Sequence, residues 1–481
     1  MLSPQRAMGQ YSTPQETVDY MVNTVSRHLE SQHEEPQILD PSTGDGIFVR
    51  TLVQSGYTPS QIHAYDVDPA IPAQYEGIHY AHQDFLKAEG TNRFDAIIGN
   101  PPYKSKRQSS YFTENRDVLA EQFQDIGVHN MYSLFIYKGL QLLKEGGILT
   151  MIVQDSFLTN VYYKHFRNYL LNHSEIQEVI LAPRRLFHHG KADVRTSILT
   201  IKKAPAKDGH TVRLVDRLTY QQYENPPETS VQYLPQTVFK KLPNYNFAIN
   251  VPEEVLELFR SHYKPLEHIV PIKTGVSTGN DGRFLRKADE ITDAEDWIPF
   301  YKNGGAKDGW YYPPKHYIHK DWRSLSQNEK KFTIRNPSYL YQEGITCSSM
   351  GVKFSASYLP KGSLFGVNAN LFPDKQEDLY YLLGLLNSSL VKYILRKVLN
   401  RTNMVTSGYI KKIPYIRPSE EQKSIVVKKA ETLVEKKKEN PEYSTEQLHQ
   451  EIDDIIFDVY RIKEEHREEM LHFCENVLEC L

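Results

Sequence analysis

An asparagine, two prolines and a tyrosine in succession, Asn100-Pro101-Pro102-Tyr103, form the most constrained polar group of the chain. The run before them, Phe94-Asp95-Ala96-Ile97-Ile98-Gly99, is short, mostly apolar and closed by glycine, the pattern of a buried strand. Two consecutive prolines exclude helix and inner strand directly afterwards, so the backbone leaves the sheet as a stiff, extended turn. A side-chain amide, a fixed carbonyl and an aromatic ring are then held at the carboxyl end of a strand, where parallel sheets bind ligands. Such a set accepts hydrogen bonds and offers a ring face.

The elements that must position this turn alternate. Thr13-Pro14 opens a helical pattern through Val18, Met21, Val22 and Val25, with Thr13 as cap and Pro14 at the first helical position. Its N-terminus is either simply a capped end or a place that receives a carboxylate. Ile38-Leu39-Asp40, the turn Pro41-Ser42-Thr43-Gly44-Asp45-Gly46 and a helix over 47–55 read as strand, tight glycine turn and helix. Strands follow over 62–65, ending at Asp66-Val67-Asp68-Pro69; over 78–81, ending near Asp84-Phe85; and over 94–99. A helix over 132–143 is closed by Lys144-Glu145-Gly146-Gly147. Strands over 148–153, 176–181 and 196–201 complete the series, with a helix between the first two. The alternation predicts a doubly wound, mostly parallel α/β sheet.

At 481 residues the chain exceeds one ordinary core, and two or three domains are expected. The alternating region occupies 1–205, and the polar, proline-containing stretch 206–250 reads as a linker leading into a further subdomain. Residues 251–418, rich in aromatic, basic and glycine residues, suggest a second, α+β domain. Over 419–481, Ile425, Val426, Leu433, Leu448, Ile452, Ile455 and Ile456 recur at helical spacing within a charged tail, which predicts two packed helices. Lys+Arg 57 against Asp+Glu 60 leaves a net charge of -3, so any polyanion-binding face requires local segregation of basic residues. The three cysteines, Cys347, Cys474 and Cys480, form neither metal-ligand spacing nor a disulfide framework. The start of the chain lacks a signal-peptide core, and no run approaches membrane-spanning length. A soluble, cytoplasmic protein is expected.

The glycine turn with Asp66 about twenty residues on suits any nucleotide-like ligand, a dinucleotide included, although Val49 breaks the full G-x-G-x-x-G pattern. The ordered combination is more specific. Asp40 to Gly46, Asp66-Val67-Asp68, Asp84-Phe85 and Asn100 to Tyr103 resemble the class I methyltransferases that use S-adenosylmethionine, in particular the amino-methylating DNA enzymes. Thr13-Pro14 upstream and a long recognition region downstream look like the gamma, TaqI-like arrangement, over residues 9 to 203. The resemblance implies a Rossmann-like catalytic domain with cofactor contacts at Thr13, Asp40, Ser42, Gly44, Gly46 and Asn100. It implies that Asp66 takes the ribose hydroxyls, that Val67 and Phe85 sandwich the adenine, and that Asp84 bonds its amino group. The order asparagine first, tyrosine last implies transfer to adenine N6, with Asn100 and Pro101 accepting from the target amine. Tyr103 then offers a ring face to a base taken out of the duplex.

Phe187 occupies, by the same resemblance, the position that stacks on the other face of the flipped base; as a residue it reads equally well as core. His188 and His189 lack a third ligand partner, and no metal is expected. Lys104, Lys106 and Arg107 are either phosphate contacts or a solvated polar loop. Residues 275–284, 297–305 with Trp310-Tyr311, 334–336 and 382–388 are similar to the recognition regions of type IIG enzymes and of PglX-type phage-defence methyltransferases. Lys273, Arg283, Arg396 and Arg401 are the DNA-contact candidates there, within a basic concentration that includes Lys392, Lys397, Lys411 and Lys412. The implied activity is site-specific methylation of N6 of adenine in double-stranded DNA, in restriction-modification or phage defence. A monomer without intrinsic nuclease, with a separate restriction or defence partner, is expected. The alternatives are an RNA or protein (glutamine) amide methyltransferase, and a catalytically silent DNA-specificity subunit.

Overall fold

The computed structural model describes residues 12–30, 35–70, 75–184, 186–187, 194–261, 263–291, 293–304, 309–351 and 353–476. The chain divides into two compact units, Met1–Asn250 and Val251–Leu481.

The first unit is built on a nine-stranded sheet. Its strands are β1 (Ile38–Asp40), β2 (Ile62–Asp66), β3 (His79–His82), β4 (Phe94–Gly99), β5 (Leu143–Gln154), β6 (Glu175–Leu181), β7 (Thr196–Lys202), β8 (Thr211–Val215) and β9 (Val231–Pro235). They lie in the order β3-β2-β1-β4-β5-β7-β6-β8-β9. The pairs β3/β2, β2/β1, β1/β4 and β4/β5 are parallel. The carboxyl ends of β1, β2 and β4 therefore share one sheet edge, which brings the three loops that carry Ser42, Asp66 and Asn100 side by side. β7 runs antiparallel to both β5 and β6, so β6 ends on that same edge. β4 is buried along its whole length, as its mostly apolar run requires, and its one charged residue, Asp95, is paired with Lys144 at 2.8 Å.

Helix α1 (Gln15–Leu29) and helix α2 (Ile47–Gln54) pack on one face, where Val18, Met21, Val22 and Val25 meet Ile38, Ile98 and Ile152 in a common core. Helices α3 (Met131–Leu142) and α4 (Lys164–His173) complete the layer structure. Three expectations change. Pro14, not Thr13, is the N-cap of α1, and no side chain caps it; the Thr13 hydroxyl is engaged elsewhere. β5 starts at Leu143 directly after α3, so Gly146 and Gly147 lie within a strand and do not end the helix. Residues 206–250, read as a linker, carry β8 and β9, which extend the sheet beyond β6.

The second unit contains two small four-stranded sheets. One orders Ile272–Lys273, Asn370–Leu371, Gly344–Cys347 and Ala356–Leu359; the other orders Leu285–Arg286, His316–His319, Trp297–Tyr301 and Leu364–Phe365. Phe284, Phe300, Tyr301, Trp322, Phe365 and Phe372 form their core. Helix α5 (Gln376–Asn387) buries nine of its twelve residues, as an interior helix does. Its last residue clamps a strand: the Asn387 Oδ1 accepts from the Ala356 N–H and its Nδ2 donates to the Ala356 carbonyl, both at 2.9 Å. Three helices follow where two are expected: α6 (Glu420–Glu439), α7 (Glu446–Val459) and α8 (Glu464–Glu475). α6 starts at a capping box in which Ser419 and Gln422 each bond the other's backbone at 3.1 Å. From α7, Asp453 accepts from both the backbone N–H and the hydroxyl of Ser389 at 2.7 Å. No described helix is long and apolar enough to cross a membrane.

Candidate active site

The turn after β1 is held by its neighbour strand. Gly44 and Gly46 adopt φ +53° and +73°, left-handed values that a β-carbon disfavours. This lets the Gly44 N–H reach Asp66 Oδ2 at 2.9 Å while Thr43 Oγ1 donates to the Tyr65 carbonyl at 3.1 Å. Asp66 also accepts from the Asp68 N–H at 2.9 Å. Asp40 is wholly buried behind the turn; its Oδ1 accepts from the Ser42 N–H at 3.1 Å, and its Oδ2 has no hydrogen-bond partner among the described residues. Burial, reinforced by the charges of Asp66 and Asp45, pushes the Asp40 carboxyl up to about 8.

The tetrapeptide is tied to both flanks. The Asn100 Nδ2 donates to Thr13 Oγ1 at 3.1 Å, and the Asn100 carbonyl accepts from Ser42 Oγ at 3.2 Å. Thr13 thus fixes which way the amide faces. Gly99 permits the approach, since a β-carbon there would lie 3.1 Å from Asp40 Oδ1 and 3.2 Å from Pro41 Cδ. The Tyr103 hydroxyl donates to the Ile152 carbonyl of β5 at 3.0 Å, which anchors a ring that is itself buried. Because β6 ends on the same edge, Phe187 reaches Tyr103, with ring centroids 6.0 Å apart and planes inclined by 55°. Phe187 is at the same time half-buried against the sheet's core. His188 and His189 lie outside the described residues. No group of three or more metal-ligating side chains occurs among those described.

A cavity of about 330 Å³ opens at this edge. Of the residues singled out in the sequence it is lined by Thr13, Ser42, Gly44, Asp66, Val67, Phe85, Asn100 and Lys104. Val67, 65% exposed, presents an apolar face to it, and Phe85 lies fully buried in its wall. Asp40, Gly46, Asp84, Pro101, Tyr103 and Phe187 are not in this wall. Residues without a sequence signal line it too, among them Phe48, Tyr111, Met131 and Phe135. Phe135 packs against Phe85 at 4.8 Å between centroids, and it stands one helical turn after Met131 on α3, so both face the cavity. Asp84 Oδ1 accepts from the Leu86 N–H at 3.0 Å, and its Oδ2 accepts from the Tyr111 hydroxyl at 2.6 Å.

The basic candidates separate. Lys106 and Arg107 are exposed, whereas Lys104 turns to the cavity. Arg283 is exposed and pairs with Glu329 at 3.3 Å; the Lys273 ammonium lies 5.2 Å from the centre of the Tyr339 ring. Arg396 and Arg401, read as DNA contacts, are only 2% and 1% exposed. The π-helical segment Ile394–Leu399 turns every one of its residues inward, and Arg396 donates to the carbonyls of Gly351, at 2.5 Å, and Thr402. Both side chains are thus buried in this structure where exposed phosphate contacts are expected, and Arg396 bonds carbonyls of its own unit.

Residues 61–187 match the family model of the Eco57I restriction-modification methylase, and residues 308–415 match that of the TaqI-like C-terminal specificity domain. The type II methyltransferase M.HincII of Haemophilus influenzae is 27% identical over 218 residues, 44% of this chain and 40% of that protein. The adenine-specific methyltransferase PglX of Lacticaseibacillus casei (strain Zhang) is 25% identical over 388 residues, 73% of this chain and 31% of that protein. The chain therefore spans less than half the length of these two relatives. Among solved structures, the Type IIL restriction-modification enzyme MmeI in complex with DNA shares the fold with a TM-score of 0.62 at 12% identity, over 97% of this chain and 75% of that one. The chain thus has one region that matches the Eco57I methylase model and a later one that matches the TaqI-like C-terminal specificity domain, and it is similar to PglX and to type II methyltransferases, in line with the gamma-class resemblance of its motifs.

Proposed function

We propose that the protein is a site-specific DNA methyltransferase that uses S-adenosylmethionine and acts on N6 of adenine. The observation that carries this reading is one shared cavity, in which the Asn100 amide and the Asp66 carboxylate stand beside the apolar walls of Val67, Phe85 and Phe135. The donor set fits the cofactor. Asp66 suits hydroxyl donors, the flat apolar walls suit a purine, and Asp40 Oδ2 is a buried polar atom close to the turn. S-adenosylmethionine, when bound, supplies an electrophilic methyl group.

The residues of this chain supply the rest. The exocyclic amine of adenine is a poor nucleophile because its lone pair is delocalised into the ring. The Asn100 Oδ1 and the Pro101 carbonyl accept hydrogen bonds from that amine and draw the lone pair out of conjugation, an electrostatic and positioning contribution. Thr13 holds the Asn100 Nδ2, which fixes the orientation of the amide. Tyr103 and Phe187 offer ring faces for an extruded base. The TaqI-like specificity region supports duplex DNA as the substrate and selection of a sequence by the second unit. Incubation of the full chain with methyl-labelled cofactor and, in turn, duplex DNA, RNA and protein tests the reading. Label recovered as N6-methyladenine in DNA is expected; label in RNA or protein and none in DNA overturns it.

A further inference from the structure

Tyr111 belongs to none of the motifs, yet it forms part of the cavity wall, whereas Asp84, among the described residues, does not. Its hydroxyl donates to Asp84 Oδ2 over a short 2.6 Å, and the other carboxylate oxygen is engaged by the Leu86 N–H at 3.0 Å. The Lys87 ammonium stands 3.8 Å from Asp84 Oδ2 and 5.8 Å from the centre of the Tyr111 ring. Burial, then the hydrogen bond to Asp84, raises the phenol's pKa well above its ordinary value, so the hydroxyl keeps its proton throughout the neutral range.

A phenol has one proton to give and lone pairs with which to accept. The single proton of Tyr111 is committed to a carboxylate, in a charge-assisted bond. Toward any further partner the oxygen is therefore an acceptor only, and its donation to Asp84 strengthens it in that role. We propose that Tyr111 is the group that reads the exocyclic amino group of the cofactor's adenine, and that Asp84 acts behind it by fixing the direction of its proton. The inference rests on the reading of this cavity as the S-adenosylmethionine pocket. Its chemical content is a selection rule: an amino purine presents N–H to the Tyr111 oxygen, whereas a hypoxanthine presents a carbonyl, and two acceptors then face each other with no proton between them.

The test is calorimetric binding of S-adenosylhomocysteine and S-inosylhomocysteine to the full chain. The native protein should prefer the adenosyl compound by about tenfold or more, the size expected when a buried acceptor is mismatched. Tyr111→Phe should bring that ratio close to one while keeping the affinity for the inosyl compound, which also reports that the pocket is folded. Asp84→Ala should reduce the ratio as well, because it frees the Tyr111 proton to turn toward the ligand. An undiminished preference in Tyr111→Phe overturns the proposal and returns the contact to Asp84. Failure of the native protein to bind either compound overturns the cofactor reading itself, a result separate from any effect of the variants.

Discussion

Asn100 is useful because its amide is not free to turn. With Nδ2 bonded to Thr13 and the backbone carbonyl bonded to Ser42, the side-chain oxygen is committed to the acceptor role before a substrate arrives. Asn100→Ala should therefore lose methyl transfer by roughly 10²–10³-fold, the loss seen when one preorganised polar group is removed, while S-adenosylhomocysteine still binds. Near-normal turnover would refute the assigned role. Asp40 gives a prediction of a different kind. Its carboxyl titrates near 3.8 when exposed and at about 8 in the fold, so the folded state holds the extra proton between those values. The stability of the chain should accordingly fall as pH rises through that window, and above it the loss from this group is complete and no longer changes with pH. Asp40→Asn keeps an oxygen for the Ser42 N–H and has nothing to ionise. In urea unfolding, its stability relative to the native protein should be greater at about pH 8 than at about pH 5; parallel pH curves would show that Asp40 does not titrate as its burial dictates.

The elements of the second unit are locked to one another by a few buried polar groups. Asn387 makes two reciprocal bonds to the Ala356 backbone from the end of α5, so Asn387→Leu leaves a buried N–H and a buried carbonyl unmatched. A loss of about 1–3 kcal/mol in unfolding free energy is expected, and an unchanged denaturation midpoint would show that water replaces the clamp without cost. The sequence made some elements plain and hid others for physical reasons. β4 and its turn were legible because a run buried on both faces followed by Gly99 and two prolines admits few conformations. β8 and β9 were not, since strands near a sheet edge alternate buried and exposed residues and so read as polar chain. α8 escaped notice because only Met470 and Phe473 of its charged sequence are buried. At the site, the glycine turn and Asp66 were readable from loop position and Phe85 from the family resemblance, whereas Phe135 looked like any other apolar helix position. Arg396 and Arg401 misled for the complementary reason that charge at helical spacing does not say which side of a helix is interior.

For the molecule as a whole, a net charge of -3 provides no general attraction to a polyanion, so affinity for DNA on the proposed reading must come from individual exposed cations. Each phosphate neutralised releases counterions, and each lost contact lowers the slope of log K against log salt by about 0.9. Lys106 and Arg107 are exposed directly after the Asn100–Tyr103 turn, and Arg283 is exposed in the second unit with Glu329 as a competing partner. Replacement of any one of the three by alanine should flatten the slope by about one and weaken binding to all sequences alike. Arg396 should respond oppositely. Its guanidinium holds the Gly351 and Thr402 carbonyls inside the second unit, so Arg396→Ala should lower thermal stability and leave the salt slope of the folded protein unchanged. Fluorescence anisotropy of duplex DNA over a salt series, paired with thermal melts of the same four variants, separates the two classes. A reduced slope for Arg396→Ala in fully folded protein would mean that this buried cation comes out to meet phosphate when DNA binds. Unchanged slopes for Lys106→Ala, Arg107→Ala and Arg283→Ala together would move the DNA-contacting surface to other residues.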